Sequence, residues 1–257
     1  MSIRFKTLGC SGGIGGANHR TTSFLINERV LIDAGTGVAD LGLDELAKIE
    51  RVFLTHAHLD HILSVPLLMD SLAGLDRPPV RVYAPESVIA VLKTHIFNWA
   101  IWPDFSVIPS AEKPSFVFEP LEVGVTVCLD DFSIQALPVN HSIPGVAYRV
   151  FSEKGSIVFS GDTGPCPELH EILQGLQDLR YLIIECAFPD QERYLADISG
   201  HFCPETLAAW MVGLTPDSLY ITHLKPLMGE VTMTELSSCL GRFSPQKLSV
   251  GMTLKLD

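Results

Sequence analysis

Residues 52–66 read VFLTHAHLDHILSVP and place His56, His58, Asp60 and His61 directly behind an apolar run of strand type. Imidazole and carboxylate donors together suit Zn²⁺, Mn²⁺ or Fe ions. His56 and His58 alternate along an extended segment, whereas Asp60 and His61 fall where the chain turns into a helix expected from about His61 to Ala73. One ion cannot easily use all four donors. The spacing therefore points to two adjacent metal ions, which need further ligands from elsewhere in the chain.

Working outward, three residues share this placement at the carboxyl end of a strand-like run: His141 after IQALPVN, Asp162 after SIVFSG and His223 after SLYIT. A lone histidine is usually structural, but the repeated placement makes these three candidate ligands. His19, His95 and His170 lack it and are read as ordinary surface or core residues. There is also a weak internal echo, since VFLTH (52–56) and LYITH (219–223) both end an apolar strand in Thr-His.

Upstream, SIRFKTL (2–8), SFLI (23–26) and VLID (30–33) read as strands around a Gly-rich loop (9–16), and Leu41, Leu43, Leu46 and Ile49 mark a helical pattern from Val38 to Ile49. Downstream strands are expected at 80–84, 115–119, 125–129, 132–139, 146–151, 156–162, 181–188 and 218–223. Helices are expected near 86–98, 204–213 and 232–241, before a last strand. Two β-rich halves with interleaved helices predict an α+β fold, a four-layer αββα sandwich whose site lies where strand ends meet. No Gly/Ser linker, charge block or low-complexity stretch divides residues 1–257, which are read as one domain.

The chain carries 18 basic against 30 acidic residues, a formal charge of -12, which opposes a long nucleic-acid partner but leaves room for a small anionic ligand. Carboxylates that hold cations would account for part of that charge. Apolar runs stay at strand length, so no membrane span is expected. The stretch MSIRFKTLGCSGGIGG has no apolar segment of signal-peptide length, and the chain is expected in the cytoplasm. Six cysteines without a CxxC pair are expected to be reduced and mostly in the core. GCSGGIGG lacks the Gly-Lys-Ser/Thr of a nucleotide P-loop and is read as a tight turn near the metal site, with amides that could touch substrate. HIFNWAIWPDF (95–105) offers Phe97, Trp99, Trp102 and Phe105 for stacking on a purine base, for core packing or for a homodimer contact.

THAHLDH, the histidine of NHS, the aspartate of SGDT and the late THLKP resemble the metallo-β-lactamase superfamily across essentially the whole chain. The resemblance implies an αββα sandwich with a binuclear site between the sheets. One ion, most readily Zn with Mn or Fe as alternatives, would take His56, His58 and His141; the second would take Asp60, His61 and His223. Asp162 would bridge both alongside a hydroxide, and Asp33 in IDAGTG would buttress the ligand loop. A secreted β-lactamase is not expected without a signal peptide, and glyoxalase II is similar only in the first motif.

The segment ECAFPDQERYLADISGHFCPETL (185–207) resembles the phosphodiesterase branch, in which Glu185 would orient His201 as the acid for the leaving oxygen. HAHLDHILS, GCSGG, IDAGTG, FNWAIWPDFS and HLKP are similar to class II 3′,5′-cyclic-nucleotide phosphodiesterases, although Pro66 departs from the aliphatic run expected there. That likeness implies hydrolysis of cyclic AMP, or of cyclic GMP, to a 5′-nucleotide by a hydroxide held between two metals. The alternatives are an RNA-end nuclease similar to the tRNA 3′-end endonuclease, whose Gly- and Lys-rich arm is not found here, another phosphoester hydrolase, or a metal-binding sensor without catalysis.

Overall fold

The structure, a computed structural model, describes residues 2–257. Alternation along the strands sorts the apolar side chains between layers. In Arg51–Phe53, Phe53 faces the middle of the molecule while Val52 and the following Leu54 face outward. In Leu179–Glu185, Ile183 faces the middle while Leu182 and Ile184 face outward. Strands apolar on both faces must be covered on both faces. Two seven-stranded sheets satisfy this by packing against each other over Phe5, Phe24, Phe53, Tyr148 and Phe159. Helices Ser64–Leu72 and Glu86–Val91 cover the outside of the first sheet. Helices Pro167–Gly175, Pro204–Trp210 and Gly229–Cys239 cover the second. The result is the α+β, αββα sandwich expected from the sequence.

In space the first sheet runs Thr253–Leu256, Ile3–Gly9, Ser23–Ile26, Val30–Ile32, Arg51–Phe53, Val80–Ala84 and Phe116–Pro120. The second runs Thr126–Cys128, Ser133–Pro138, Val146–Ser152, Gly155–Phe159, Leu179–Glu185, Ser218–Thr222 and Gln246–Lys247. In both, the first four strands pair antiparallel and the fourth begins a parallel run. A parallel run delivers its carboxyl ends, and the loops that follow them, to one edge. The loops after Val30–Ile32, Arg51–Phe53, Gly155–Phe159, Leu179–Glu185 and Ser218–Thr222 carry most of the candidate site residues; His141 comes from the loop after the antiparallel strand Ser133–Pro138.

The helix expected over 38–49 is broken. A 3₁₀ turn covers Thr36–Asp40, Leu41 and Gly42 are extended, and a single α-turn covers Leu43–Leu46. Glu45 accepts the Gly42 N–H at 3.0 Å and starts that turn afresh, which leaves Leu43 exposed although it fitted the periodicity. Two helices were not foreseen, Pro167–Gly175 and Arg193–Ser199. The aromatic segment divides, with Phe97 and Phe105 buried in the outer core of the first sheet and Trp99 exposed.

Candidate metal centre

The loop after Arg51–Phe53 carries His56 and His58, and the helix Leu59–Ile62 carries Asp60 and His61 in a single turn. His141 comes from the loop after Ser133–Pro138, Asp162 from the loop after Gly155–Phe159, and His223 directly follows Ser218–Thr222. The fold brings all seven together. His58 Nδ1 lies 3.1 Å from His56 Nε2 and 3.2 Å from His141 Nε2. Asp162 adds an oxygen to this group, with Oδ2 at 3.6 Å from His56 Nε2. Its other oxygen, Oδ1, faces the second group, 3.3 Å from His61 Nε2 and 3.2 Å from His223 Nδ1. Asp60 Oδ2 completes that group at 3.9 Å from His61 and 3.8 Å from His223.

The surroundings fix how each ring is presented. The Asp33 carboxylate is fully buried and accepts from the Thr55 N–H at 2.8 Å, the Thr55 hydroxyl at 2.8 Å and His61 Nδ1 at 2.7 Å. With its Nδ1 proton held by Asp33, His61 turns Nε2 to the site. His141 Nδ1 is held by the Gly200 carbonyl at 2.9 Å, which leaves Nε2 free in the same way. Gly200 is the left-handed cap of Arg193–Ser199, at φ 69, and a Cβ there would lie 2.9 Å from Ser142 N and 3.1 Å from His141 Cα. Asp33 and His223 themselves sit in the left-handed region, at φ 55 and φ 60, a strain that the site's packing must hold. The His223 amide donates to the Cys10 carbonyl at 2.8 Å. Gly12 lies against the imidazole, where a Cβ would stand 2.9 Å from Cδ2.

A further pair stands beside these groups. Glu185, fully buried, accepts from Thr163 N at 3.0 Å, Ala187 N at 3.1 Å, Phe202 N at 3.4 Å and His201 Nδ1 at 2.7 Å. The His201 ring stacks on that of His223 with centroids 5.3 Å apart, and His201, His223 and Asp162 can bring donor atoms within 4.8 Å of one another.

Charge balance shows what the donor groups call for. Burial, assisted by His61, holds His56 well below the ordinary histidine range. Burial also lowers His58, His141 and His223, so these imidazoles are neutral donors at neutral pH. Burial opposes charge on Asp162 too, but His223 and His61 outweigh it and keep the carboxylate ionised. Burial would lower His61, yet Asp162 and Asp33 carry it well above its usual value. In His201 the same burial is overcome by Glu185, and the pKa rises. A proton on His61 thus stands where the buried carboxylates call for a cation. His61 Nε2 and His223 Nδ1 are buried without a hydrogen-bond partner, so this donor set fits divalent metal ions.

The sequence carries no signal for the Gly200 carbonyl, and Lys225 stands in THLKP without a role of its own there; its ammonium reaches the Gly12 carbonyl at 2.9 Å. Thr55 stands in THAHLDH and in the Thr-His echo without a role assigned, and the echo is not a repeat. Arg51–Phe53 is the fifth strand of its sheet and Ser218–Thr222 the sixth of the other. The Thr55 hydroxyl serves Asp33, whereas that of Thr222 donates to Cys10 O.

The chain is similar to several known proteins. Ribonuclease Z of Mycobacterium marinum is 30% identical over 215 residues, which cover 76% of this chain and 76% of that protein. A probable 3′,5′-cyclic-nucleotide phosphodiesterase of Yersinia pestis is 26% identical over 206 residues, 69% of this chain and 57% of that one. The chain spans about half the length of several curated relatives it matches. The crystal structure of unliganded yeast PDE1 superposes with a TM-score of 0.81 at 17% identity, over 98% of this chain and 99% of the other, a likeness of fold. The family model described as beta-lactamase superfamily domain matches residues 28–224, a span holding all seven residues of the two groups together with Asp33, Glu185 and His201, and the chain belongs to that family.

Proposed function

We propose that the protein is a metal-dependent phosphodiesterase whose substrate is a 3′,5′-cyclic nucleotide, cyclic AMP or cyclic GMP, opened to the 5′-nucleotide. The observation that carries this reading is Asp162, which turns one oxygen to each donor group, 3.6 Å from His56 and 3.2 Å from His223, with the Glu185–His201 pair beside it. His56, His58 and His141 would hold one divalent cation and Asp60, His61 and His223 the other, with Asp162 shared; a donor set this rich in imidazole favours Zn. Bound there, the cations would supply Lewis acidity towards phosphoryl oxygens and acidify a water.

The chain's own contribution is the proton for the leaving group. Glu185 fixes Nδ1 of His201 and raises its pKa, so Nε2 carries a proton towards the site. As the P–O3′ bond breaks, its electron pair leaves with O3′ and the Nε2 proton neutralises it. General acid catalysis of this kind contributes about 10²–10⁴ in rate.

The Ribonuclease Z relatives favour a second reading, cleavage at RNA ends. The distribution of charge favours the small substrate. Arg29, Lys48, Arg51, Arg77 and Arg81 line a cleft at the amino ends of the parallel strands of the first sheet, away from the edge that carries the donor groups. Four of the five pair with carboxylates there. The test is incubation of purified protein with 3′,5′-cyclic AMP or with a structured RNA precursor, each with and without a chelator. Chelator-sensitive 5′-AMP supports the reading. RNA cleavage without cyclic AMP turnover, with Zn²⁺, Mn²⁺ or Fe²⁺ supplied, overturns it in favour of the second.

A further inference from the structure

Beyond the donor groups, the Gly-rich turn and the segment after His223 form the wall of a cleft of about 510 Å³, lined among others by Ser11, Asn18, His19, Lys225, Leu227 and Ser249. Lys225 lines this cleft and is linked through Gly12 to the donor groups. Its ammonium donates to the carbonyl of Gly12, and Gly12 packs on the His223 ring with no room for a Cβ. The same ammonium lies 5.7 Å from the Phe188 ring, which lies 5.8 Å from the His201 ring. The neighbouring cation, Lys247, is paired with Glu230 at 2.8 Å. Lys225 is half-buried, and Gly12 O is its one hydrogen-bond partner among the described residues, so two of its three N–H donors remain to be used. A cation placed beside a site that collects cations is repelled by them unless an anion is shared between the two.

We propose that this cleft is a nucleoside subsite: Lys225 binds a non-bridging oxygen of the scissile phosphate, and the sugar and base of a single nucleotide occupy the cleft. This rests on the phosphodiesterase reading. The volume lies within the roughly 300–1,000 Å³ of small-molecule sites. Its lining is mixed in the way a nucleoside requires. Leu227 is fully exposed at the rim and Val250 partly so, giving apolar surface for the faces of a base. Ser11, Asn18, His19 and Ser249 offer hydroxyl, amide and imidazole groups for sugar hydroxyls and base edges. A cleft of this size accommodates one nucleoside, which points to mononucleotide phosphodiesters as the substrate class.

The test uses Ser249→Trp, which fills the cleft from an exposed position, and Lys225→Met and Lys225→Arg. Binding of adenosine 5′-monophosphate is measured by calorimetry, and turnover is measured with 3′,5′-cyclic AMP and with bis(p-nitrophenyl) phosphate, which has no nucleoside. Ser249→Trp is expected to weaken nucleotide binding and to lower the ratio of kcat/KM for cyclic AMP over the synthetic ester, each by about tenfold. Lys225→Met is expected to raise KM for both esters by about 10- to 100-fold, as for loss of a hydrogen bond to a charged group, with partial rescue in Lys225→Arg. Wild-type nucleotide affinity in Ser249→Trp, or no nucleotide binding by the wild type, overturns the subsite. If both esters are cleaved and Ser249→Trp changes neither ratio nor affinity, the subsite falls and the phosphodiesterase reading stands. If neither ester is cleaved but nucleotide binding depends on Ser249, the subsite stands and the catalytic reading falls.

Discussion

Replacing Asp33 by asparagine tests how the centre is held, because it keeps the shape of the side chain and changes one acceptor into a donor. The carboxylate takes the Thr55 N–H and hydroxyl on one side and His61 Nδ1 at 2.7 Å on the other, with no water-exposed atom. Whichever way the new amide lies, one buried donor faces an NH₂, at a cost of about 1–3 kcal/mol. The cheapest relief is for His61 to keep its one proton on Nε2, facing Asp162 Oδ1 3.3 Å away, which leaves no lone pair there for a cation. Loss of such an outer partner lowers cation affinity about 10- to 100-fold.

At free Zn²⁺ of 100 times the wild-type Kd, one site adds about 2.7 kcal/mol of stability; after a 10- to 100-fold loss it adds about 1.4 to 0.4 kcal/mol. At about 2–4 °C per kcal/mol, the Zn-induced rise in Tm of about 5–11 °C per site shrinks to about 1–6 °C. Melting with and without Zn²⁺, together with competition against a chromophoric chelator, reads both quantities. Asp33→Asn with wild-type affinity at both sites would show that Asp33 does not orient His61.

In His201→Ala, kcat is expected to fall about 10²–10⁴-fold with Zn²⁺ affinity kept; loss of the metal would make His201 a ligand instead. Tyr148, fully buried, donates its hydroxyl to Leu54 O at 2.8 Å and so ties the second sheet to the backbone just before the ligand loop. Tyr148→Phe strands that carbonyl and should lower unfolding free energy by about 1–3 kcal/mol in urea titration, and a change below about 0.5 kcal/mol would mean that Leu54 O finds another donor. Burial pushes the Cys10 thiol up to about 12. The folded chain keeps a proton that the unfolded chain releases above about pH 9, so this contribution is full below that pH and is lost as pH rises towards 12. Between about pH 8 and about pH 10.5, Cys10→Ala should lose less stability than wild type in urea midpoints, and equal losses would contradict the assignment.

Most strands were legible because short β-branched and aromatic runs bounded by turn residues mark strands buried on one face or on both, whereas the two-residue strands Pro109–Ser110, Lys113–Pro114 and Gln246–Lys247 are too short to leave such a run. The failures came where local chemistry overrode a pattern. Leu43 kept the helical period over 38–49, yet Gly42 with Glu45 restarted the chain there. Arg193–Ser199 is a short helix with Tyr194, Leu195 and Ile198 exposed, so it has little apolar period to read, although its left-handed cap Gly200 positions His141. The donor residues were legible because chemistry needs those residue types. Their supports were not, because Thr55 N, Thr163 N and Gly200 O are backbone atoms, and any residue supplies them.

That difference separates three buried carboxylates which the sequence presents alike. Asp33 and Asp162 hold matching places, each following the fourth strand of its sheet where parallel pairing begins, and Glu185 ends the fifth strand of the second sheet. All three are almost completely inaccessible to solvent. Asp33 has two hydrogen bonds to Thr55 and one to His61, and Glu185 has three backbone donors and one imidazole. Their lone pairs are spent on the protein, so they can orient but have little left for a cation. Asp162 accepts from no backbone amide or hydroxyl among the described residues; it faces only ring nitrogens of His56, His61 and His223, two of which carry unpartnered buried atoms. A buried carboxylate left in that condition is unfavourable unless something positive joins it. Hydrogen-bond accounting thus sets Asp162, whose oxygens take no amide or hydroxyl, apart from Asp33 and Glu185, whose oxygens are occupied, where position along the strands alone would have made them equivalent.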